Sequence, residues 1–169
     1  MKTIKTAHWL ICAMLVIVAA GCGVKRSQSS YDYESKVLSA NYDGTYAIRV
    51  FVRARNAAIA FTDGQRKAVE EVIFKGVAAG SNGVSRLEPL CYDMNARAKN
   101  EDYFNAFFQD GGEWTKYASL KDKRTGTTHY QRNGKQMLED VTVSVDRANL
   151  QKKLQEDGII PQQNLYQLK

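Results

Sequence analysis

The sequence contains little of what metal sites and catalytic sites are built from. Its 169 residues include two histidines, His8 and His129, and three cysteines, Cys12, Cys22 and Cys91. A zinc site needs three or four His, Cys or carboxylate ligands at close spacing, and these residues lie in separate segments. The Gly-x-Ser-x-Gly motif of serine hydrolases and the Gly-Lys-Ser/Thr end of a phosphate-binding loop are both absent. We therefore expect no metal, no cofactor and no enzymatic activity.

The acidic residues also lack the arrangement that glycoside hydrolysis needs. Glu101-Asp102 and Glu139-Asp140 are adjacent pairs, and neighbouring side chains on a helix or a strand point in different directions. Neither pair would flank one glycosidic bond. Long apolar runs are missing as well, because the longest one falls short of the roughly twenty residues of a membrane-spanning helix.

The first 22 residues have the three parts of a secretory signal. Lys2 and Lys5 are followed by an apolar stretch of about ten residues, from Trp9 to Val18, and then by Ala19-Ala20-Gly21-Cys22. This ending resembles the lipobox of bacterial lipoproteins. The resemblance implies that residues 1–21 are a signal peptide, that the chain is cut before Cys22, and that the Cys22 sulfur is lipidated.

The residues after Cys22 indicate a location. In lipoproteins an aspartate just after the cysteine retains the protein in the inner membrane, whereas Gly23, Val24 and Lys25 stand here. The resemblance thus implies the outer membrane, and the lack of an acidic export cluster implies its periplasmic face. Two or three acyl chains are enough for a stable anchor.

The rest of the chain is predicted to form one domain. A Ser-rich polar segment, residues 22–42, has the composition of a tether with a reach of about 25 Å, and residues 43–169 are long enough for one core. Val37 and Leu38 interrupt the tether and would fit either an edge strand or a short helix. With Cys22 acylated, Cys91 has no disulfide partner and is predicted to be a small buried apolar group.

Periodicity predicts a strand and then a helix after the turn residues Asp43-Gly44. Residues 46–55 alternate, with Tyr46, Ile48, Val50, Val52 and Ala54 on one face and three arginines, Arg49, Arg53 and Arg55, on the other. A helix is predicted from Asp63 to Lys75, with a backward extension to Ala58 that Gly64 disfavours. Gly76–Pro89 is predicted to be a loop, functional or mobile.

The second half of the domain repeats these signals. A helix from Asn100 to Gln109 would bury its aromatic residues, residues 113–120 alternate as a strand, and the polar run 121–133 leads to a strand ending at Val145. Asp146 is then predicted to cap a helix that ends at Gly158. The order predicts an α+β fold, an antiparallel sheet with helices packed on one face.

This order resembles the small N-terminal domain of flagellar assembly protein T and related periplasmic lipoproteins, above all in Val143-Ser144-Val145-Asp146 followed by Leu150, Leu154 and Gly158. The chain is also similar to small lipoproteins of Bacteroidetes. The resemblance implies a binding or assembly module of the envelope without a cofactor.

One basic, aromatic patch near the predicted hairpin is a candidate interaction surface. In an exposed loop these residues would ordinarily be solvated charge; if they bind, anionic headgroups, lipopolysaccharide phosphates or an acidic partner are the expected ligands. A periplasmic location argues against nucleic acid. The patch consists of Trp114, Lys116, Tyr117, Lys121, Lys123, Arg124 and Tyr130.

We therefore expect a non-enzymatic binding or assembly module in an envelope complex, attached to the membrane through the lipid on Cys22 and bound to an envelope protein. The alternative is a binder of envelope glycans or lipopolysaccharide that uses Trp114, Tyr117 and Tyr130.

Overall fold

A computed structural model of the chain describes residues 34–80, 83–120, 132–133 and 136–162, and of residues 132–133 and 136–139 the backbone only. In chain order its elements are β1 (Lys36–Ala40), β2 (Thr45–Ala54), α1 (Ala57–Phe74), α2 (Ala96–Lys99), α3 (Glu101–Phe108), a 3₁₀ helix (Glu113–Lys116), β3 (Ala118–Leu120), β4 (Arg132–Asn133), β5 (Gln136–Asp146) and α4 (Arg147–Glu156).

The strands form one antiparallel sheet in the order β1-β2-β5-β3, with β4 paired to β5. The central pair joins β2 and β5 along their whole lengths, from Thr45↔Asp146 to Ala54↔Met137. Ile48 lies opposite Val143 and Val50 opposite Val141, and all four side chains are buried. The α+β fold predicted from the sequence is confirmed, and so is the predicted division of β2 into an apolar and an arginine-bearing face.

Helix α1 crosses the buried face of the sheet. Asn56 caps it, since its Oδ1 accepts a 3.0 Å hydrogen bond from the Ile59 amide. The helix runs through Gly64 without a break. A Cβ at this position would lie only 3.0 Å from the Val141 side chain. Glycine thus permits close contact between helix and sheet, and the backward extension of the predicted helix is real.

Strand β1 decides between the two alternatives for the region around Val37. Lys36–Ala40 is an edge strand paired with β2, and the Val37 side chain is completely buried. This part of the predicted tether therefore belongs to the domain, since an apolar side chain gains free energy by leaving water. Residues 22–33 lie outside the described residues.

The loop predicted for Gly76–Pro89 packs closely in its described parts, residues 76–80 and 83–89. Val77 and Leu87 exchange two backbone hydrogen bonds of 2.8 Å, and the Val37 amide donates to the Ala78 carbonyl at 3.0 Å. A Cβ at Gly80 would lie 1.9 Å from the Val37 carbonyl oxygen. Gly80 is therefore explained by its close contact with β1.

The strand predicted for residues 113–120 is wrong in its first half. Glu113–Lys116 form a 3₁₀ helix, and only Ala118–Leu120 pair with β5. The reason lies at Trp114, whose ring is buried and whose Nε1 donates a 2.9 Å hydrogen bond to the Gln109 carbonyl at the end of α3. This bond holds the segment against the helix and away from the sheet.

The two remaining helical predictions are confirmed. Phe104, Phe107 and Phe108 of α3 are buried, and the Phe104 ring meets that of Phe74 edge-on at 4.8 Å between centroids. Asp146 caps α4 by accepting a 3.0 Å hydrogen bond from the Asn149 amide. Leu150 and Leu154 of α4 join the same core, and Gly158 follows with φ +72°.

Candidate functional site

One concave feature among the described residues is a cleft of about 450 Å³ on the helical side of the sheet. One wall is the segment before α3, a second is the exposed face of α4, and a third is the chain just after α4. We call it the apolar cleft; it is lined by Pro89, Leu90, Cys91, Tyr92, Asp93, Ala96, Lys99, Asn100, Arg147, Gln151, Gln155, Ile159, Ile160 and Pro161.

Backbone hydrogen bonds fix the walls of the apolar cleft. The Leu90 amide donates to the Val72 carbonyl at 3.0 Å and the Cys91 amide to the Ile73 carbonyl at 2.8 Å, which ties this segment to the end of α1. The Ile160 amide donates to the Leu154 carbonyl at 3.2 Å. The cleft is thus held in shape by the core beneath it, and preformed pockets bind with less loss of entropy.

Cys91 lies at the floor of the apolar cleft, beside Leu90, Ala96 and Ile160, all of them buried. Burial raises the pKa of the Cys91 thiol to about 11, and the charge of Asp93 adds to the effect. A thiol with this pKa stays protonated at neutral pH and is a poor nucleophile. The structure therefore bears out the interpretation of Cys91 as a small buried apolar group.

Polar groups lie at the rim of the apolar cleft. Arg147 donates from Nη1 to Gln151 Oε1 and from Nη2 to the Glu88 carbonyl, both at 3.3 Å. Lys99 forms an ion pair with Asp93, and its hydrogen bond, together with that of the Asn95 amide, lowers the pKa of Asp93. Lys99 and the Nη1 and Nη2 groups of Arg147 are engaged within the chain, whereas the buried Arg147 Nε has no hydrogen-bond partner among the described residues. Most of the free surface of the cleft is apolar.

Two large apolar side chains extend this surface into solvent. Tyr92, on the cleft wall, is 73% exposed, and Met94, two residues further on, is 99% exposed. Single exposed apolar residues are common. Here they adjoin an apolar cleft, and tyrosine and methionine are both enriched where proteins contact one another.

The patch predicted from the sequence does not hold together in the described residues. Trp114 is only 2% exposed, and the Arg66 guanidinium covers its ring at 5.5 Å from the centroid. Its assignment to an interaction surface is therefore wrong, because the indole belongs to the core. Lys121, Lys123, Arg124 and Tyr130 lie outside the described residues.

The other two described members of the patch have internal partners. Lys116 forms an ion pair of 2.9 Å with Glu113. The Tyr117 ring stacks on that of Phe107 with the centroids 6.2 Å apart. The Lys116 side chain nevertheless keeps 65% of its surface exposed, so the role of Lys116 and Tyr117 in the interaction surface stays a prediction.

The described part of the chain has neither a metal-binding cluster nor a membrane-crossing helix. Its His, Cys, Asp and Glu side chains form no group of three or more that could hold a metal ion. None of the described helices combines the length and the apolar character needed to cross a bilayer.

Sequence reasoning missed the apolar cleft, whose lining comes from residues up to 72 positions apart. One local signal was present: Tyr92 and Met94 stand in the otherwise polar segment Tyr92-Asp93-Met94-Asn95. Alternating apolar residues outside a strand or helix would have indicated an exposed apolar surface there.

Comparisons of the chain with protein-family models, with curated proteins and with solved structures gave no match.

Proposed function

We propose that the protein is a lipid-anchored, non-enzymatic binding module of the bacterial envelope, and that its apolar cleft receives an apolar side chain of a partner protein. The observation that carries the proposal is the pairing of a preformed apolar cleft with the exposed Tyr92 on its wall and the exposed Met94 two residues further along the chain. Such an arrangement matches a protein interface, in which a few anchor residues fill pockets and supply most of the binding free energy.

A protein partner fits this surface better than a sugar or a phosphate does. Sugars need several converging hydrogen-bond donors and acceptors, but Lys99 and the Nη1 and Nη2 groups of Arg147 already bind groups of the chain itself, and the buried Arg147 Nε alone is a single donor. The alternative function, binding of envelope glycans or lipopolysaccharide, relied on Trp114, Tyr117 and Tyr130, of which Tyr130 lies outside the described residues. Trp114 lies in the core and Tyr117 stacks on Phe107, so the described residues give that alternative no surface.

The proposed anchor comes from the sequence around Cys22. A lipidated Cys22 would keep the domain at the periplasmic face of the outer membrane, where envelope proteins are within reach. Fixing one partner to a surface raises its effective concentration toward other proteins of that membrane. A module of modest affinity is then sufficient for assembly.

Site-specific photo-crosslinking in cells tests this function. A photoreactive phenylalanine analogue is placed at Met94 in the full chain, and at Lys152 as a control, since Lys152 is also exposed but lies on α4 outside the lining of the cleft. We expect a discrete protein adduct at position 94, absent at position 152 and lost with Tyr92→Ala. Identical adduct patterns at both positions, or an adduct that Tyr92→Ala leaves unchanged, would contradict the proposal.

A further inference from the structure

The face of the sheet opposite the helices carries a row of cations. Arg49 and Arg53 occupy outward positions of β2, Arg55 follows directly after the strand, and all three are exposed. Lys36 of β1 lies opposite Arg49 in the strand register and is exposed too. Alternate residues of a strand are spaced by about 6.6 Å, so Arg49 and Arg53 lie roughly 13 Å apart along β2. We call these four residues the arginine face.

The arginine face is only partly neutralised. Asp140 of β5 forms an ion pair with Arg49 at 3.8 Å, and the Arg49 side chain keeps 47% of its surface exposed. In the described part of the chain, Arg53 and Arg55 have no carboxylate within ion-pairing distance, and Glu34 is an exposed acid near Lys36. Phe51, half-buried, lies between Arg49 and Arg53. The surface thus combines an excess of positive charge with one aromatic ring.

The position of this face relative to the proposed anchor suggests its ligand. The chain between Cys22 and β1 joins the domain at Lys36, which is itself part of the arginine face. Thirteen residues separate Cys22 from Lys36, and a chain of this length spans at most about 45 Å, so the proposed lipid on Cys22 would hold Lys36 within this distance of the bilayer. Arginines attract anionic lipid headgroups over about one Debye length, and aromatic rings favour the same interfacial zone.

We propose that the arginine face rests on anionic phospholipid headgroups of the membrane that holds the lipid on Cys22; this inference depends on the proposed anchor. The guanidinium groups of Arg53 and Arg55 would bind phosphate oxygens in their planar, two-donor geometry. The helices and the apolar cleft lie on the other side of the sheet. Binding in this orientation therefore turns the apolar cleft away from the bilayer and towards a protein partner.

Fluorescence quenching on vesicles tests the orientation. The lipidated chain is reconstituted into vesicles of phosphatidylcholine alone or mixed with phosphatidylglycerol, both containing quencher-labelled lipid. A fluorophore is attached through Ser119→Cys, an exposed position on the arginine side of the sheet, or through Lys152→Cys on the helical side. Retention on the neutral vesicles measures the anchor alone, so failure of the anchor is distinguishable from failure of the arginine face.

We expect stronger quenching at position 119 than at 152, only in the anionic vesicles, with loss of the difference at high salt. The double variant Arg53→Glu, Arg55→Glu should lower the ratio of molecules with a membrane-bound arginine face to molecules with an unbound one roughly tenfold or more. The charge-matched control, Lys75→Glu with Lys152→Glu, should leave quenching at position 119 unchanged. Equal quenching at both positions, or quenching that the arginine variants do not reduce, would overturn the inference.

Discussion

The Tyr103 hydroxyl donates a 2.6 Å hydrogen bond to the Asp157 carboxylate and so joins α3 to the end of α4. Lys153 extends this contact, since its Nζ lies 3.0 Å from Asp157 and 3.2 Å from Glu113. Burial, followed by the bond to Asp157, raises the pKa of Tyr103, so the phenol is a donor at neutral pH. These four residues connect three segments that flank the aromatic core.

Tyr103→Phe removes only the hydroxyl of this contact. We expect a loss of about 1 kcal/mol in the free energy of unfolding at neutral pH, because a hydrogen bond to a charged acceptor is lost at a partly exposed site. Denaturant titration measures this loss. Tyr92→Phe is the control, since Tyr92 is largely exposed and its hydroxyl has no hydrogen-bond partner among the described residues. Equal effects of the two variants would disprove a stabilising role of the Tyr103 hydroxyl.

The same contact makes stability depend on acid pH. Partial burial raises the pKa of Asp157, but the hydrogen bonds from Tyr103 and Lys153 outweigh it and hold this pKa below its ordinary value. Lys116, and then Lys153, lower the pKa of Glu113. A carboxylate with a lowered folded-state pKa stabilises the fold above its unfolded pKa of about 4, and this stabilisation is lost as the pH falls through the folded pKa. Tyr103→Phe should therefore show a smaller loss of stability over this acid range than the wild type.

Val143→Asp tests the register of the central strand pair. Val143 is fully buried opposite Ile48, so a carboxylate there should cost several kcal/mol of a total stability of about 5–15 kcal/mol and unfold the domain. Thr142→Asp places the same charge on the other face, opposite Arg49, where an ion pair favours it. Thermal melts of the two variants should differ strongly, and equal shifts would contradict the register.

Gly80→Ala tests the contact that holds β1. The added methyl group would lie 1.9 Å from the Val37 carbonyl oxygen, so β1 should separate more often from its neighbours while the core stays folded. Tryptic cleavage after Lys36, followed by mass spectrometry, should accelerate in this variant. Gly83→Ala is the control for backbone strain, because Gly83 has φ +74° while its Cβ would meet no atom within 4 Å. Equal acceleration in both variants would show that loop strain, and not this contact, releases β1.

Cys91 should react slowly with alkylating reagents in the native protein. A buried thiol with a pKa of about 11 has a thiolate fraction at neutral pH lower by about two orders of magnitude than that of an ordinary cysteine. Peptide mapping after iodoacetamide treatment should find Cys91 modified rapidly only in denaturant. Rapid modification without denaturant would mean that the floor of the apolar cleft opens to solvent.

Cys22→Ser tests the anchor on which both proposals depend. The variant should take up no alkyne palmitate analogue and should accumulate as an uncleaved or soluble precursor, because the acylated sulfur is lost. Cys91→Ser is the matched control and should be labelled like the wild type. Normal labelling of Cys22→Ser would contradict lipidation at this residue.

The sequence predicted best where one residue pattern dominated. The alternation of Ile48, Val50 and Val52 against three arginines specified β2 and its faces, and Asp146 and Gly158 specified the ends of α4. These signals are local, because the physical causes, alternation of side chains and capping of backbone groups, act over a few residues.

The errors arose where distant contacts decide the local structure. Trp114 has the alternating neighbours of a strand, but its hydrogen bond to the Gln109 carbonyl and its burial produce a 3₁₀ helix instead. In the sequence, Gly64 disfavours the backward extension of the helix. In the fold, Val141, 77 positions later, occupies the space that a side chain at Gly64 would need, so the glycine lies inside the helix. The apolar cleft was unpredictable for the same reason, since Leu90 and Ile160 meet only in the folded chain.

The position of β1 also governs how the domain responds to mechanical tension. A pull transmitted along the chain from residue 35 acts on the Lys36 end of β1, opposite the turn that joins β1 to β2. A pull across the strands would break the hydrogen bonds of β1 one after another from the Lys36 end, among them the bond from the Val37 amide to the Ala78 carbonyl. Detachment of β1 would lengthen the connection by about 3.3 Å for each residue released. With the proposed lipid on Cys22, β1 would then act as an extensible link between the core of the domain and the membrane.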